Sequence, residues 1–469
     1  MARIAMIVGN PCNPDYRVIK EAEALSLSGH EVRVFCAAKE GVPDLATVAG
    51  VTYQRLWLSR SKRRATAVQT VPEIPPSPLY PPGEAPILLR LKERSRTELR
   101  RAVRFALSMP RRLWFSPLNP WTHLRPRVQK FTKFELAARV FAPAVAAFRP
   151  DVVHAHDLFC LPAGLVAAKA CRARLVYDSH ELEIHRNPPL PPLLKFYCGL
   201  VEARAIRRAD AVITVCDPIA DHLRAEYHIP RPTVLFNAPS VLARADAPRP
   251  TRTSIRSDAR VPDGMKLAVY VGLVTVNRGI ETLLEALVGL PDVFVAAVGP
   301  KNAAYAPSLL ARARKLGVAD RFALLAPVPP EQVVDYIAGA DFGLNPLIPV
   351  TLSYQYAMPN KLFEMAFAGL PIVNSDAQES ARFVRDNGLG VIYRSGDAVA
   401  CAKAMAAVAA DPAAHHPSGE RLAALRDAYG WHRQAEKLGA LYARVLRPVE
   451  ARARTVRRTK PVARPAPTV

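Results

Sequence analysis

A lysine and a glutamate near the start of a predicted helix are the first residues whose types and spacing suggest chemistry. They are Lys361 and Glu364, in the stretch YQYAMPNKLFEMAFAGLPIV of residues 354–373. Pro359 suits the first position of a helix, and a separation of three residues puts both charges on one helical face. A helix N-terminus at the carboxyl end of a strand attracts anions, so these residues could hold a phosphate group. The alternative is a solvated ion pair worth about 0.2–0.5 kcal/mol.

Three histidines lie where other strands are predicted to end. His154 and His156 belong to the sequence VHAHD, and His180 belongs to YDSHE. They could be polar groups in a cleft, or they could be core or capping residues. The chain has no CxxC pair and no HExxH spacing for zinc, and no GxSxG for a nucleophilic serine. We therefore expect neither a metal site nor acyl transfer.

Two arginines accompany the loops that follow the first strand of each half. Arg17 comes after the loop at 9–15, and Arg278 lies in the loop at 272–279. Neither loop contains GxGxxG, so we do not expect a nicotinamide dinucleotide site. A nucleoside diphosphate needs cations and backbone N–H groups that converge, and we predict that Arg17, Arg278 and Lys361 face one cleft.

The elements that position these residues repeat one β–loop–α–β pattern. In the first half the pattern is strand 3–8, helix 16–28 and strand 31–35; in the second it is strand 267–271, helix 280–287 and strand 293–298. Continuous apolar strands predict parallel sheets that are covered on both faces. Further strands are predicted at 151–154, 175–177, 211–215, 233–236, 321–325, 342–345, 372–374 and 390–393. The predicted fold class is α/β, with two doubly wound domains in tandem.

The chain divides into five predicted regions. They are a first domain at 1–240, a linker at 241–264, a second domain at 265–430, a helix at 431–446 and a basic tail at 447–469. The helix could pack back on the first domain, and the Ala/Pro-rich tail is expected to be disordered.

Most of the positive charge lies in a segment inserted in the first domain. The net charge is +23, and residues 59–134 hold 17 Lys and Arg against 4 Asp and Glu. Seven prolines fall within 71–86, and a basic amphipathic helix is predicted at 87–107, close to Trp114 and Trp121. This composition favours contact with an anionic membrane. A solvated insertion without a partner is the alternative, and the absence of a recognisable motif argues against nucleic acid as a partner.

Composition also bounds the compartment. A chain of 469 residues, half of them hydrophobic, can form two cores. Its seven cysteines follow no disulfide pattern, the N-terminus runs directly into a strand, and no uncharged apolar run reaches about 18 residues. We expect a cytoplasmic protein, peripheral on the inner face of the plasma membrane.

Taken in order, several motifs resemble the group 1 (family 4) retaining glycosyltransferases. The matching stretches are RVIKEAEAL from Arg17, GHEV from Gly29, DVVHAHD from Asp151, ADAVITV from Ala209, NAP from Asn237, YVG from Tyr270, RGIE from Arg278, ADFGLNP from Ala340 and the stretch at 354–373. They span the chain from residue 3 to about 446, apart from 59–134. The resemblance implies the GT-B fold, in which two Rossmann-like domains face a cleft.

The resemblance also implies roles for individual residues. Glu364 would accept hydrogen bonds from the ribose, as the second Glu of a Glu-x7-Glu motif. The N–H groups near Asn360 and Lys361, together with Arg278, would hold the diphosphate. Val328 would lie near the base and His156 near the transferred sugar. Arg17 and His180 are expected on the acceptor side.

Two positions depart from the family pattern. Tyr356 stands where the first Glu of the motif is usual, and Leu273 stands where many members have a second cation. Tyr356 leaves the identity of the sugar open.

We therefore expect a retaining glycosyltransferase that uses a nucleoside diphosphate sugar and no metal or other cofactor. Its acceptor would be a lipid-linked or cell-envelope glycan. Two alternatives stay open: a nucleotide-sugar 2-epimerase of the same fold, and a non-catalytic module that binds a membrane or a partner. The sequence does not identify the sugar, base, acceptor, linkage or oligomeric state.

Overall fold

Two parallel sheets form the framework of the protein. The computed structural model describes residues 1–58, 125–240 and 255–447, with the side chains of the helix at 125–148 described from residue 131 onward. In that part of the chain, the first sheet has the strand order β3-β4-β2-β1-β5-β6-β7-β8 and the second has β11-β10-β9-β12-β13-β14. The strands pair in parallel except β3 with β4. The prediction of a doubly wound α/β fold is confirmed.

The first domain surrounds the larger sheet. Its strands are β1 (Arg3–Val8), β2 (Glu31–Ala37), β3 (Leu45–Val48), β4 (Val51–Leu56), β5 (Val152–His156), β6 (Arg174–Ser179), β7 (Ala211–Thr214) and β8 (Thr233–Val234). Its helices are α1 (Tyr16–Leu27), α2 (Arg125–Phe148), α3 (Asp157–Cys171), α4 (Pro192–Ile206) and α5 (Asp217–Tyr227).

The second domain surrounds the smaller sheet. Its strands are β9 (Lys266–Val271), β10 (Val293–Val298), β11 (Phe322–Leu325), β12 (Phe342–Asn345), β13 (Ile372–Ser375) and β14 (Gly390–Tyr393). Its helices are α6 (Ile255–Ala259), α7 (Ile280–Leu287), α8 (Tyr305–Lys315), α9 (Pro330–Ile337), α10 (Leu352–Gln355), α11 (Asn360–Phe367), α12 (Gln378–Asp386), α13 (Ala398–Ala410) and α14 (Gly419–Tyr429).

The central strands are buried on both faces, as their unbroken apolar runs require. Residues 4–8 of β1 and all of β5 have no exposed surface. The strand order reverses between β1 and β5 in the first sheet and between β9 and β12 in the second. Ligands of such sheets bind beyond the carboxyl ends of the strands at this reversal. The fold therefore provides one such edge in each domain.

A last helix, α15 (Trp431–Val445), returns from the second domain to the first. Its Leu438, Leu441 and Tyr442 are buried in the same cluster as strand β1. The Tyr442 hydroxyl lies 2.9 Å from Nδ1 of His154 at the centre of the first sheet. The helix thus joins the two domains through buried contacts.

The structure corrects two boundaries of the sequence analysis. The inserted segment does not extend to 134, because α2 begins at Arg125 and Phe134 is a buried member of the first domain's core. Likewise, the last ten residues assigned to the linker belong to the second domain, where Ile255 is fully buried. The amphipathic helix predicted at 87–107 and the tail beyond 447 lie outside the described residues.

The edge hairpin β3–β4 is absent from the sequence prediction. Three of the four residues of β3 are exposed. Its sequence, LATV, does not alternate between apolar and polar residues, so no pattern identifies it as a strand. The described helices include none that is both long and apolar enough to cross a membrane.

Candidate active site

A cavity of about 490 Å³ opens at the carboxyl edge of the first sheet. It lies where the loops after β1, β5 and β6 meet, at the reversal of strand order. The residues that line it include Gly9, Asp157, Phe159, His180, Glu183 and Arg186. Of the site residues predicted from the sequence, His180 is in this lining and His156 is not.

Behind the cavity, one buried carboxylate connects three of the site residues that were predicted from the sequence. Asp178, at the end of β6, accepts two hydrogen bonds from Arg17, at 2.8 Å from Nε and 2.9 Å from Nη2. Its Oδ2 atom also lies 3.2 Å from Nε2 of His180 and 3.4 Å from Nδ1 of His156. The two histidine rings touch, with His156 Nδ1 3.2 Å from His180 Nε2. Asp178 therefore holds the ends of α1, β5 and β6 in one arrangement.

The charges in this group depend on one another. Burial would raise the pKa of Asp178, but Arg17 and His180 hold that pKa well below its usual value. Burial likewise opposes the charge of His180, yet Asp157 and Asp178 raise the pKa of His180 to about 9. His156 has the opposite balance, because burial lowers its pKa below the ordinary value in spite of Asp178. At neutral pH, His180 is a cation and His156 is neutral.

A second carboxylate, Glu21, completes the buried cluster. Glu21 lies one helical turn after Arg17 on α1, with 3.1 Å between Oε1 and the guanidinium Nε. Burial and then the charge of Asp178 raise the pKa of Glu21 to about 8, so this carboxyl is mainly protonated at neutral pH. His154 lies 3.7 Å from it through Nε2, and burial holds the pKa of His154 well below the usual value.

The same cluster contains side chains of the types that bind metal ions. Ligand atoms of Glu21, His154, His156 and Asp178 lie within 4.8 Å of one another. However, the guanidinium of Arg17 already contacts both carboxylates, and it would repel a divalent cation placed beside them. The donor set is better explained as an ion-pair cluster than as a metal site.

Arg17 occupies a different position from the one predicted. The sequence analysis placed it in the cleft as a cation for a ligand, but its side chain is only 3% exposed. Its third hydrogen bond goes to the backbone carbonyl of Leu235, 2.9 Å from Nη1. All of these partners belong to the first domain, so Arg17 supports the cavity from behind without lining it.

Two cations of the second domain converge beside strand β9. Lys361, in the first turn of α11, places its Nζ 3.9 Å from the ring centroid of Tyr270. Arg278 stacks its guanidinium over Tyr354, with 5.1 Å from Cζ to the ring centroid. Burial, and then the charge of Arg278, hold the pKa of Lys361 well below its usual value. Only 7% of the surface of Lys361 is accessible, so this residue is more buried than the cleft-facing lysine that we predicted.

The backbone beside these cations provides N–H groups and a close approach between loops. Pro359 is the N-cap of α11, one position earlier than predicted, and the N–H groups of the first turn follow it. Gly272 and Gly279 both have positive φ, and a Cβ on Gly279 would overlap the backbone of Pro346 in the neighbouring loop. The Lys361 Nζ atom is buried without a hydrogen-bond partner among the described residues. Such an atom suits an anionic ligand that would supply the missing acceptor.

Glu364 lies one turn further along α11 and is half-buried. Burial raises its pKa to about 7, while the charges of Lys20 and Lys361 act in the opposite direction. Lys20 comes from α1 of the first domain, where its Nζ donates to the carbonyl of Ala238 at 2.6 Å. Glu364 thus responds to charges from both domains.

The other predicted donor residues are more dispersed. Asn360 is exposed at the start of α11, and Val328 is half-buried in the loop between β11 and α9. Tyr356 faces the first domain: its carbonyl accepts from the thiol of Cys216, with 3.1 Å between the atoms, and its ring lies 6.5 Å from that of His222. The residue that replaces the usual Glu therefore takes part in the contact between domains.

Three further contacts join the two domains around the cleft. The hydroxyl of Ser353 donates to Glu181 at 3.4 Å, and Asn277 donates to Asn187 at 3.3 Å. The charged side chains of Arg382 and Asp217 are 3.5 Å apart. Both halves of the site are thereby held close together.

Several site residues were missed by the sequence analysis. Asp157 and Asp178 stand beside the histidines in VHAHD and YDSHE, and adjacent carboxylates at strand ends were a usable signal. Glu21 is four residues after Arg17, a spacing that predicts a helical ion pair. Nothing in the sequence pattern indicates that Lys20 would approach Glu364, because that contact depends on how the domains pack.

Comparison with known proteins identifies the family. The sequence model described as "Glycosyl transferase 4-like domain" matches residues 17–239, and the one described as "Glycosyl transferases group 1" matches residues 266–411. Together these matches cover most of both domains. The chain belongs to the group 1 glycosyltransferases. The prediction of a glycosyltransferase enzyme is confirmed at this level.

Individual relatives of this glycosyltransferase are distant. The D-inositol 3-phosphate glycosyltransferase of Streptomyces avermitilis is 24% identical over 331 residues, which cover 66% of this chain and 70% of the relative. Sucrose-phosphate synthase from Thermosynechococcus elongatus has a TM-score of 0.67 at 17% identity, covering 95% of this chain and 99% of its own. HepE of Anabaena, solved with UDP, has a TM-score of 0.61 at 12% identity, with 94% and 100% covered. These structures confirm the GT-B fold.

The buried ion cluster makes a prediction about stability. Replacing Arg17 by Met should lower the free energy of unfolding of the glycosyltransferase by about 3–5 kcal/mol, because Asp178 would stay buried without its main cation. Arg139→Met is the matched control, since Arg139 is 69% exposed in its pair with Glu135. The control should change the value by less than about 1 kcal/mol. Urea unfolding followed by circular dichroism measures both, and equal midpoints for the two variants would contradict the assignment of Arg17.

Proposed function

We propose that the protein is a retaining glycosyltransferase that moves a sugar from a nucleoside diphosphate sugar to a hydroxyl group of a lipid-linked or cell-envelope glycan. The observation that carries the donor half of this proposal is the convergence of Arg278 and Lys361 at the N-terminus of α11. HepE was solved with UDP and with UDP-glucose, and this supports a nucleotide sugar as the donor.

The leaving group explains why the two cations are needed. When the bond from the sugar to the diphosphate breaks, negative charge grows on the phosphate oxygens. The guanidinium of Arg278 can meet two of these oxygens, and Lys361 and the N–H groups at Asn360 lie on the same side. Groups held in place before the reaction stabilise such charge without reorganisation, and losing one costs roughly 2.7–4 kcal/mol in other enzymes. The mechanism proposed here uses no metal.

The remaining donor contacts follow from position. Glu364 would accept hydrogen bonds from the ribose hydroxyls, and Val328 at the edge of the sheet would meet the base. On the acceptor side, His180 lines the cavity whereas His156 is fully buried. We therefore propose that His180 is the histidine nearer to the transferred sugar, and that His156 positions it through its contact with the His180 ring.

Glu364→Gln tests the donor site. The change keeps the shape of the side chain but removes its charge, and it should weaken nucleotide binding roughly 10- to 150-fold, as expected for hydrogen bonds to a charged group. Calorimetry with UDP, GDP and ADP identifies the nucleotide that binds best and gives the affinity. Glu420→Gln, at an exposed glutamate of α14, is the control and should have no effect.

The pH dependence of nucleotide binding provides an independent test of the role of Glu364. Because the pKa of Glu364 is raised to about 7, protonation should remove the ribose acceptor as the pH falls through 7. Affinity in the wild type should therefore decline from pH 8 to pH 6 more steeply than in Glu364→Gln. An unchanged affinity in the variant, or the same pH slope in both proteins, would rule out the ribose role.

We also propose that the inserted segment brings the enzyme to an anionic membrane. The described residues before the inserted segment end just after β4, and those after it begin at the start of α2. Strand β4 is parallel to β2 and β2 to β1, so the insertion is rooted at the carboxyl edge that also holds the cavity. A lipid-linked acceptor delivered there would be close to the site.

Vesicle flotation tests the membrane proposal. The wild type should float with vesicles that contain anionic phospholipid and not with neutral ones, and high salt should release it, because each basic residue near the surface contributes about 1 kcal/mol. The deletion should remove residues 62–122 only, since Phe134 belongs to the core. Binding that ignores lipid charge and salt, or that survives this deletion in a folded protein, would contradict the proposal.

A further inference from the structure

The cavity of the first domain has an acidic lining. Asp157, Glu181 and Glu183 contribute three carboxyl groups, against two cations from His180 and Arg186. Under the proposed function, the acceptor binds at this edge of the first sheet. The lining of the cavity therefore indicates the chemistry of that acceptor.

Both cations of the lining have a carboxylate partner. Arg186 donates from Nη1 to Glu183 at 2.9 Å, while its buried Nε atom has no hydrogen-bond partner among the described residues. His180 lies between two carboxylates, with Nδ1 3.4 Å from Asp157 and Nε2 3.2 Å from Asp178. A phosphate entering the cavity would have to compete with these carboxylates for each cation and would be repelled by them.

Asp157 is the lining residue best placed to contact a ligand. It begins α3 with a φ of 59°, a left-handed conformation that is uncommon for a residue with a side chain. Such backbone strain is often retained where it aims a side chain into a site. The Asp157 side chain is 42% exposed, so its carboxylate is open to the cavity while His180 holds it from behind.

The lining also contains an aromatic ring. Phe159 lies against Gly9, and a Cβ on Gly9 would overlap its ring. An aromatic ring and carboxylates in one lining provide an apolar surface for the C–H face of a sugar and acceptors for its hydroxyl groups. The volume of about 490 Å³ falls within the range of about 300–1,000 Å³ common for small-molecule sites.

We propose that the acceptor presents an uncharged sugar ring to this cavity, with its hydroxyl groups donating to Asp157, and that a phosphate on that ring is rejected. The inference rests on the proposed function, which it deepens by naming the class of acceptor. It distinguishes this chain from the relatives named D-inositol 3-phosphate glycosyltransferases, whose name contains a phosphorylated compound.

The test compares neutral and phosphorylated probes. Methyl glycosides of glucose, galactose, mannose and N-acetylglucosamine, and the corresponding 6-phosphates, are titrated into the full-length protein with UDP present, and binding is followed by ligand-observed NMR. At least one glycoside should bind, and its 6-phosphate should bind about tenfold more weakly, as expected for lost or opposed charged hydrogen bonds.

Two variants locate the effect in the cavity. Asp157→Asn should weaken the binding of the neutral glycoside by roughly tenfold, the effect of one hydrogen bond to a charged group. Glu183→Gln should strengthen the binding of the 6-phosphate by about the same factor, because it releases Arg186. Glu420→Gln is again the control and should change neither.

The outcomes distinguish this inference from the proposed function. Tighter binding of the 6-phosphates, no binding by any glycoside, or glycoside binding that Asp157→Asn leaves unchanged would overturn the neutral-acceptor assignment. UDP binding that is normal in all these proteins would leave the donor proposal intact. If none of the nucleoside diphosphates UDP, GDP and ADP bound the wild type, the proposed function itself would be overturned.

Discussion

The carboxyl edge of the first sheet depends on the buried carboxylate of Asp178. It accepts from Arg17 on α1 and contacts His156 at the end of β5 and His180 after β6, so three chain segments meet at one charge. Removing a carboxylate from water is costly, and the arrangement is stable only because the guanidinium is bidentate and the histidines satisfy the remaining positions. The same contacts keep His180 charged and orient it toward Asp157.

In the second domain, by contrast, a buried ammonium group lacks a hydrogen-bond partner among the described residues. Lys361 is buried against Tyr270 without a hydrogen-bond acceptor among the described residues, and Arg278 nearby disfavours its charge further. A diphosphate would reverse both effects, because it brings negative charge to two cations at once. Under the proposed function, the second domain gives up stability for affinity toward a diphosphate, whereas the buried cluster around Asp178 is charge-balanced without a ligand.

Sequence reasoning succeeded where a pattern has one structural explanation. The apolar runs predicted β1 and β10 with the observed bounds, because strands buried on both faces leave no other choice. It did not foresee that Arg17 is buried, since periodicity gives its helical face but not the carboxylate of β6 that faces it. The burial of Lys361 depends on Tyr270, from a strand far earlier in the chain, and Tyr356 contacts the other domain. Such contacts arise only when the elements are packed.

The titration of His180 tests the central claim most directly. Histidine ring signals in heteronuclear NMR, with His180 assigned by its loss in His180→Gln, give its pKa in the folded protein. The account predicts a value of about 9, because Asp157 and Asp178 outweigh the effect of burial, while burial lowers the pKa values of His154 and His156 below the ordinary value. The stabilisation from His180 should be complete below its unfolded pKa of about 6.5 and disappear as the pH rises through 9. A His180 that titrates at or below 6.5 would contradict the role assigned to Asp178.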